Sequence, residues 1–261
     1  MQRAARAGEA DLSLGRSREA VEQYRIALRR AEMRDDLSEI ADYGYDLALA
    51  ELDDNQPEAA VATVRSVRGE LARRNSPSPA GLTLLEATAL YRAGSRAEAD
   101  ALAAAVQRSS ERDVVLQACF LRGLIADDNN DLAGLEAAAQ CLGTGSSGAE
   151  TANALELSAR ISLRRGNGTA AETAARDAAD LRQKSRDYRG MARALALAGA
   201  AARQAGSGSA AASYYLRAGR SAAAQGDAAH ARQWLQTALL LSADADLRAE
   251  AQRALSSIDK R

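Results

Sequence analysis

A seven-residue phrase recurs along the chain and limits what it can fold into. It reads Gly15-Arg16-Ser17-Arg18-Glu19-Ala20-Val21, followed by Tyr24, Ala27 and Leu28. It returns as Asn55-Gln56-Pro57-Glu58-Ala59-Ala60-Val61 and as Gly94-Ser95-Arg96-Ala97-Glu98-Ala99, with weaker copies beginning near Asn129, at Gly166 and at Gly206. A clear copy opens at Gly226-Asp227-Ala228-Ala229-His230-Ala231 and continues to Trp234, Ala238 and Leu239. Starting points 15, 55, 94, 129, 166 and 206 lie 35 to 40 residues apart, a period that marks stacked supersecondary units.

Gly or Asn suits the left-handed cap that ends one helix, and Ser, Asp or Pro suits the opening of the next. Each phrase is therefore a tight turn between two helices. Between turns, Ala41, Tyr45, Ala48, Leu49 and Leu52 recur at helical spacing, the pattern of an amphipathic helix. One hairpin cannot bury that face alone, so neighbours must stack. The last phrase follows its predecessor by only 20 residues, so a helix over 208–225 pairs both ways, giving about fourteen helices. Composition agrees: 47% of residues are hydrophobic but only 3% aromatic, and Ala and Leu, which carry the difference, favour closely packed helices. Strands would want the missing aromatics and β-branched runs.

The phrase and the small residues after it resemble the turn and second helix of a tetratricopeptide repeat, over nearly the whole chain. The early bulky aromatic usual in the first helix is absent and several units exceed 34 residues, so the chain looks like the longer-helix variants. The resemblance implies an all-α solenoid of about seven antiparallel helical hairpins, one domain over residues 1–261, whose first helices line a concave groove. On that register the groove carries Asp42, Tyr45 and Leu49, then Leu84, Thr88, Tyr91 and Leu116, then Asn153, Glu156, Arg160, Arg164, Arg193 and, on the first helix of the last hairpin, Arg220. Tyr45, Leu49, Leu84, Tyr91, Leu116, Arg160, Arg164, Arg193 and Arg220 are the expected ligand contacts. Arg160 and Arg193 are expected to lie outside the packing core.

Residues 1–130 hold 17 basic and 22 acidic side chains, and residues 131–261 hold 17 and 13. This asymmetry is too mild for a nucleic-acid footprint. The resemblance implies a non-catalytic protein that holds a peptide or protein partner in its groove, without a cofactor. The alternative is a periplasmic carrier of a sterol-like or hopanoid-like lipid. Met1 falls at the first position of the first repeat, so the expectation is an outer-membrane lipoprotein with its leader removed, in the bacterial periplasm rather than the cytoplasm. No stretch approaches the roughly 20 apolar residues of a membrane span.

Other motifs read as local structure. Gly143-Thr144-Gly145-Ser146-Ser147-Gly148 spells GxGxxG but follows a helix, not the strand that a dinucleotide site needs. Asp127, Asn129 and Asp131 begin like a calcium loop, yet Leu132 replaces its Gly and Ala138 its bidentate Glu. Asn167-Gly168-Thr169 is a formal glycosylation sequon placed at a turn. His230 is the only histidine, which excludes a His-based metal cluster. The pairs Asp35-Asp36, Asp53-Asp54 and Asp127-Asp128 read as solvated caps. Cys119 and Cys141 flank the turn near Asn129 almost symmetrically, so a hairpin brings them together as a possible disulfide.

Overall fold

The computed structural model describes residues 2–143 and 146–258. Every regular element among them is a helix: α1 (Gln2–Ser13), α2 (Ser17–Glu32), α3 (Leu37–Asp53), α4 (Pro57–Arg73), α5 (Ala80–Arg92), α6 (Arg96–Val106), α7 (Arg112–Asp128), α8 (Leu132–Leu142), α9 (Gly148–Arg164), α10 (Gly168–Lys184), α11 (Tyr188–Gln204), α12 (Gly208–Ala224), α13 (Ala228–Leu241) and α14 (Ala245–Ile258). These fourteen form seven sequential hairpins. The packing divides the chain into two compact units, Met1–Ile125 and Ala126–Arg261.

The turns explain the regularity. Gly15, Asp35, Asn55 and Asn75 in one unit, and Gly166, Arg186, Gly206 and Gly226 in the other, all have positive φ and recur every twenty residues. The amide after each left-handed residue donates to a carbonyl five residues back: Gln56 to Glu51 at 2.8 Å, Asn167 to Ser162 at 2.8 Å, Asp187 to Arg182 at 2.9 Å. This is the Schellman closure, which satisfies carbonyls that the helix end leaves open. The same residue often caps the next helix. Asp36, Asp131, Asn167, Asp187 and Asp227 accept from the amides of Glu39, Gly134, Ala170, Gly190 and His230. Closing one helix and opening the next within three residues leaves only an antiparallel hairpin.

The fourth turn, near Asn129, uses Asn130 as its left-handed residue, with φ of 58°. The sequon's Asn167 caps α10 through its side chain, which is the turn role. Of the GxGxxG stretch, Thr144 and Gly145 lie outside the described residues, Gly143 ends α8 and Ser147 caps α9. Cys119 and Cys141 are both disulfide-bonded.

Packing differs between the units. In Met1–Ile125 each helix packs on the next from α1 to α6, and α3 also touches α5; the core mixes Leu, Val and Ile with Ala. In Ala126–Arg261 the core between α9 and α12 is largely alanine, including Ala159, Ala175, Ala179, Ala194, Ala198 and Ala218 around Leu195. Such small side chains let helix axes approach closely. Gly168 shows the limit: a Cβ there would lie 2.7 Å from the Ala205 backbone nitrogen and 2.9 Å from the Ala201 carbonyl oxygen.

Because Asp131 is exposed and serves α8 chiefly as its cap, Asp131→Ala should destabilise the protein by about 1 kcal/mol, the usual worth of an N-cap. Denaturant unfolding checks this, with Asp131→Asn expected to retain most of the stability.

Candidate ligand-binding faces

In Ala126–Arg261 the polar residues of the α9 face build around one buried carboxylate. Glu156 is almost wholly buried, its side chain 1% exposed, and accepts from Arg160 Nη2 at 3.1 Å and Arg182 Nη2 at 3.1 Å. Arg182, reaching over from α10, also donates to Asn153 Oδ1 at 2.7 Å and Asp187 Oδ2 at 2.6 Å. Arg160 turns its other nitrogen to Asp127 Oδ2 at 2.6 Å. Arg164 donates to Asp127 Oδ1 at 2.7 Å and also to Asn130. Burial alone would raise the pKa of Glu156, but Arg160, Arg182 and Arg193 hold it below the usual glutamate value. Asp187 is likewise lowered, its burial outweighed by the Gly190 amide and Arg182.

This network changes the reading of two expected contacts. Arg160, expected to lie free of the core, and Arg164 already have their guanidinium groups engaged by Asp127 and Glu156. Asp127 is an internal acceptor, not a solvated cap. Arg193 differs: it is exposed on α11, acts on Glu156 and Asp187 through its charge, and no hydrogen bond or ion pair ties it among the described residues. Arg220 is exposed on α12 and pairs with Glu250 of α14. It sits on the second helix of the sixth hairpin, not the first of the seventh; α12 packs on both α11 and α13, so the phrase at Gly226 joins two hairpins.

The same motif holds Met1–Ile125 together. Buried Glu51 of α3 accepts from Thr63 Oγ1 at 2.8 Å and lies 3.6 Å from Arg25 of α2. Buried Glu86 of α5 accepts from Arg65 Nε at 2.8 Å and from Arg68, both on α4. Of the expected apolar contacts, Leu84 and Leu116 are buried in the core, and Tyr91 is half-buried against it. Leu84 and Leu116 are thus withdrawn from solvent, while Tyr91 keeps part of its surface exposed.

Tyr45 and Leu49 are different. They stand one turn apart on α3, each 37% exposed, and the Tyr45 ring passes near Gly81 at the start of α5. Asp42 and Asp46 lie one turn apart beside them. Burial, then Asp42, then Glu9 of α1 push the Asp46 carboxyl up to about 6, and burial, then Asp46 and Glu9, raise Tyr24. The face is thus apolar, aromatic and anionic, with one carboxylate strained by its neighbours. Sequence reading named Asp42 but missed Asp46 and Glu9; the i, i+4 pairing of Asp42 with Asp46 was the available signal.

The solitary His230 is an end-cap residue. Its Nδ1 lies 2.7 Å from Asp227 Oδ2, and its ring lies 5.1 Å from that of Trp234. Among the described residues no group of three or more His, Cys, Asp or Glu side chains could hold a metal ion, and no helix is long and apolar enough to cross a membrane.

No family model and no curated protein matches the chain. Solved structures do. A tetratricopeptide repeat protein from Parabacteroides merdae aligns over 98% of both chains, at 15% identity and a TM-score of 0.51. The fold is tetratricopeptide-like. The C-terminal part of a repeat-containing protein of this type from Cytophaga hutchinsonii covers 94% of this chain and 98% of its own, at 12% identity and a TM-score of 0.47. The tandem repeat domain of yeast Sti1, solved in complex with an Hsp90 peptide, covers 99% and 97% at 15% identity and a TM-score of 0.38.

In this tetratricopeptide-like frame, Glu156 sits on a first helix and Arg182 on the second helix of the same hairpin, so the pair staples the hairpin internally. Glu156→Ala strands two arginines and should destabilise the protein by about 3–5 kcal/mol, as removal of one partner of a buried pair does. The lowered pKa values of Glu156 and Asp187 make their contribution fully present above the ordinary carboxylate range and progressively lost as pH falls below about 4.5. Unfolding free energies between pH 3 and 7 check both. The variant should show a flatter acid limb, and an unchanged limb would contradict the assignment.

Proposed function

We propose that the chain is a non-catalytic binding protein whose Met1–Ile125 unit holds a basic, partly apolar peptide segment of a protein partner against α1, α3 and α5. The observation that carries this reading is the α3 face, where exposed Tyr45 and Leu49 stand beside Asp42 and Asp46. Stacked helical repeats offer extended surfaces of this kind. An aromatic ring and a leucine supply the apolar anchors that dominate peptide docking, and neighbouring carboxylates select the charge of what docks.

Asp46 supports the sign of the partner. Its raised pKa means that an ionised carboxylate there is disfavoured by burial and by two like charges. A lysine or arginine side chain arriving at this point reverses that balance, so binding and ionisation of Asp46 are linked. In Ala126–Arg261, by contrast, most cations on the α9 face are already neutralised by internal acids, which leaves Arg193 as the side chain there best placed to meet a partner. The disulfide-bonded cysteines support an oxidising compartment such as the bacterial periplasm.

The test is fluorescence anisotropy with a labelled Leu/Lys amphipathic peptide and its Leu/Glu counterpart. The basic peptide should bind and the acidic one should not, with affinity falling as salt rises and as pH drops through about 6. Tyr45→Ala should weaken binding about fivefold or more. Asp46→Asn should weaken binding as well, yet raise the thermal midpoint at pH 7, because it removes a charge that the free protein tolerates poorly. Equal binding of both peptides, or an Asp46→Asn variant with undiminished affinity, would sink the proposal.

A further inference from the structure

One end of Ala126–Arg261 takes no part in peptide binding on α3. Helices α9 to α14 pack in sequence and reverse direction at each short turn. The start of α9, the α10–α11 turn, the α12–α13 turn and the C-terminal half of α14 therefore lie at the same end. Arg186, in the α10–α11 turn, has a φ of 60°, where three other turns of this unit place Gly166, Gly206 and Gly226. Glycine adopts this left-handed conformation freely, and a residue with a side chain is strained in it. Among the described residues no hydrogen bond or ion pair of the Arg186 side chain offsets that strain. On either side of it Lys184, which ends α10, and Tyr188, which opens α11, are exposed, Tyr188 at 48%. Arg253 of α14 is exposed too, and neither it nor Lys184 is held by a hydrogen bond or ion pair among the described residues. The acids nearby are engaged: Glu150 by Ser146, Asp187 by Arg182, Asp227 by His230 and Glu250 by Arg220. Asp180 is exposed but lies one turn further back on α10.

We propose that this end of Ala126–Arg261 docks peripherally on an anionic phospholipid surface. Its unengaged cations span from the α10–α11 turn to α14, several helix spacings of roughly 8–10 Å each, which is too wide for one small anion. A plane of headgroups meets them all, and each basic side chain within a Debye length of it adds to the attraction. Tyr188 suits the same boundary, with an apolar ring for the headgroup region and a hydroxyl for water. The strained turn then has a role, since it carries the Arg186 charge at the tip, beside the tyrosine. No helix among the described residues is long and apolar enough to cross the bilayer, so the contact is made from outside. Three basic side chains and one tyrosine make it weak and reversible.

Co-sedimentation of the full chain with excess vesicles at low salt tests this, comparing pure phosphatidylcholine with a mixture containing roughly one third anionic phosphatidylglycerol. The chain should partition onto the anionic vesicles roughly tenfold more strongly than onto the neutral ones, and be released as salt rises. Arg186→Gly should lower the partition about fivefold, the effect of one basic side chain at such a surface, and raise the thermal midpoint by relieving the turn. Unfolding cannot produce that pair of changes. Lys184→Gln should cause a similar loss of partition, whereas Arg29→Gln, at an exposed position on α2 of the other unit, should cause none. Equal sedimentation with both vesicles, none with the anionic ones, or an Arg186→Gly variant that sediments like the parent would each overturn the proposal. Soluble polyglutamate bound as tightly as the vesicles would overturn it as well, in favour of an acidic polymer. The α3 peptide assay reports on the other unit, so the two readings stand or fall separately.

Discussion

The main-chain closure at each turn is the constraint on which the rest depends. A residue with positive φ ends one helix, and the next amide reaches five residues back to the open carbonyl. The same residue frequently caps the helix that follows. Once this happens every twenty residues, helix length, antiparallel order and the face each helix shows to its neighbour are all set. Packing then follows from side-chain size: leucine and valine fill the wider spaces of Met1–Ile125, and alanine permits the close approach of α9 to α12.

Charge is used inside this frame before it is used outside it. Glu51, Glu86 and Glu156 are buried acids on first helices, each gripped by arginines from a neighbouring second helix. Burying a carboxylate is unfavourable unless it is paired and hydrogen-bonded. Arginine forks meet both needs at Glu86 and Glu156. At Glu51, Thr63 supplies the hydrogen bond and Arg25 the charge, and burial still raises the carboxyl above its usual value. Such pairs also fix how adjacent helices are aligned, since a shift by one residue would strand a charge. The surplus left at the surface is therefore smaller and more local than the count of charged residues suggests, and the acidic α3 face of Met1–Ile125 is one such place.

Much of the fold was legible in the sequence. The repeated turn phrase, the dominance of Ala and Leu and the scarcity of aromatics led to fourteen helices in hairpins, and the caps at Asp227 and Asn167 lie at their phrase positions. The site was legible only in part. A repeat register says which face of a helix a residue occupies, but not whether that face meets solvent, a neighbour or an opposite charge. Leu84 and Leu116 occupy the register and are buried. Arg160 occupies it and is held by Asp127 and Glu156, acids that adjoin it only after folding. Asp46 became visible only when Glu9, 37 residues earlier, was brought beside it. Arg220 was assigned to the wrong helix of a pair because the turn between hairpins at Gly226 opens on a glycine of positive φ, as the turns within hairpins at Gly166 and Gly206 do.

The central claim is that binding is concentrated on the exposed α3 face of Met1–Ile125. Hydrogen–deuterium exchange measured with and without a saturating basic amphipathic peptide tests it most directly, because it locates the contact without presuming which residues make it. The account predicts slowed exchange confined to α1, α3 and the start of α5, with α9 to α14 unchanged. Protection that appears on α9 and α11 while α3 exchanges as in the free protein would contradict it.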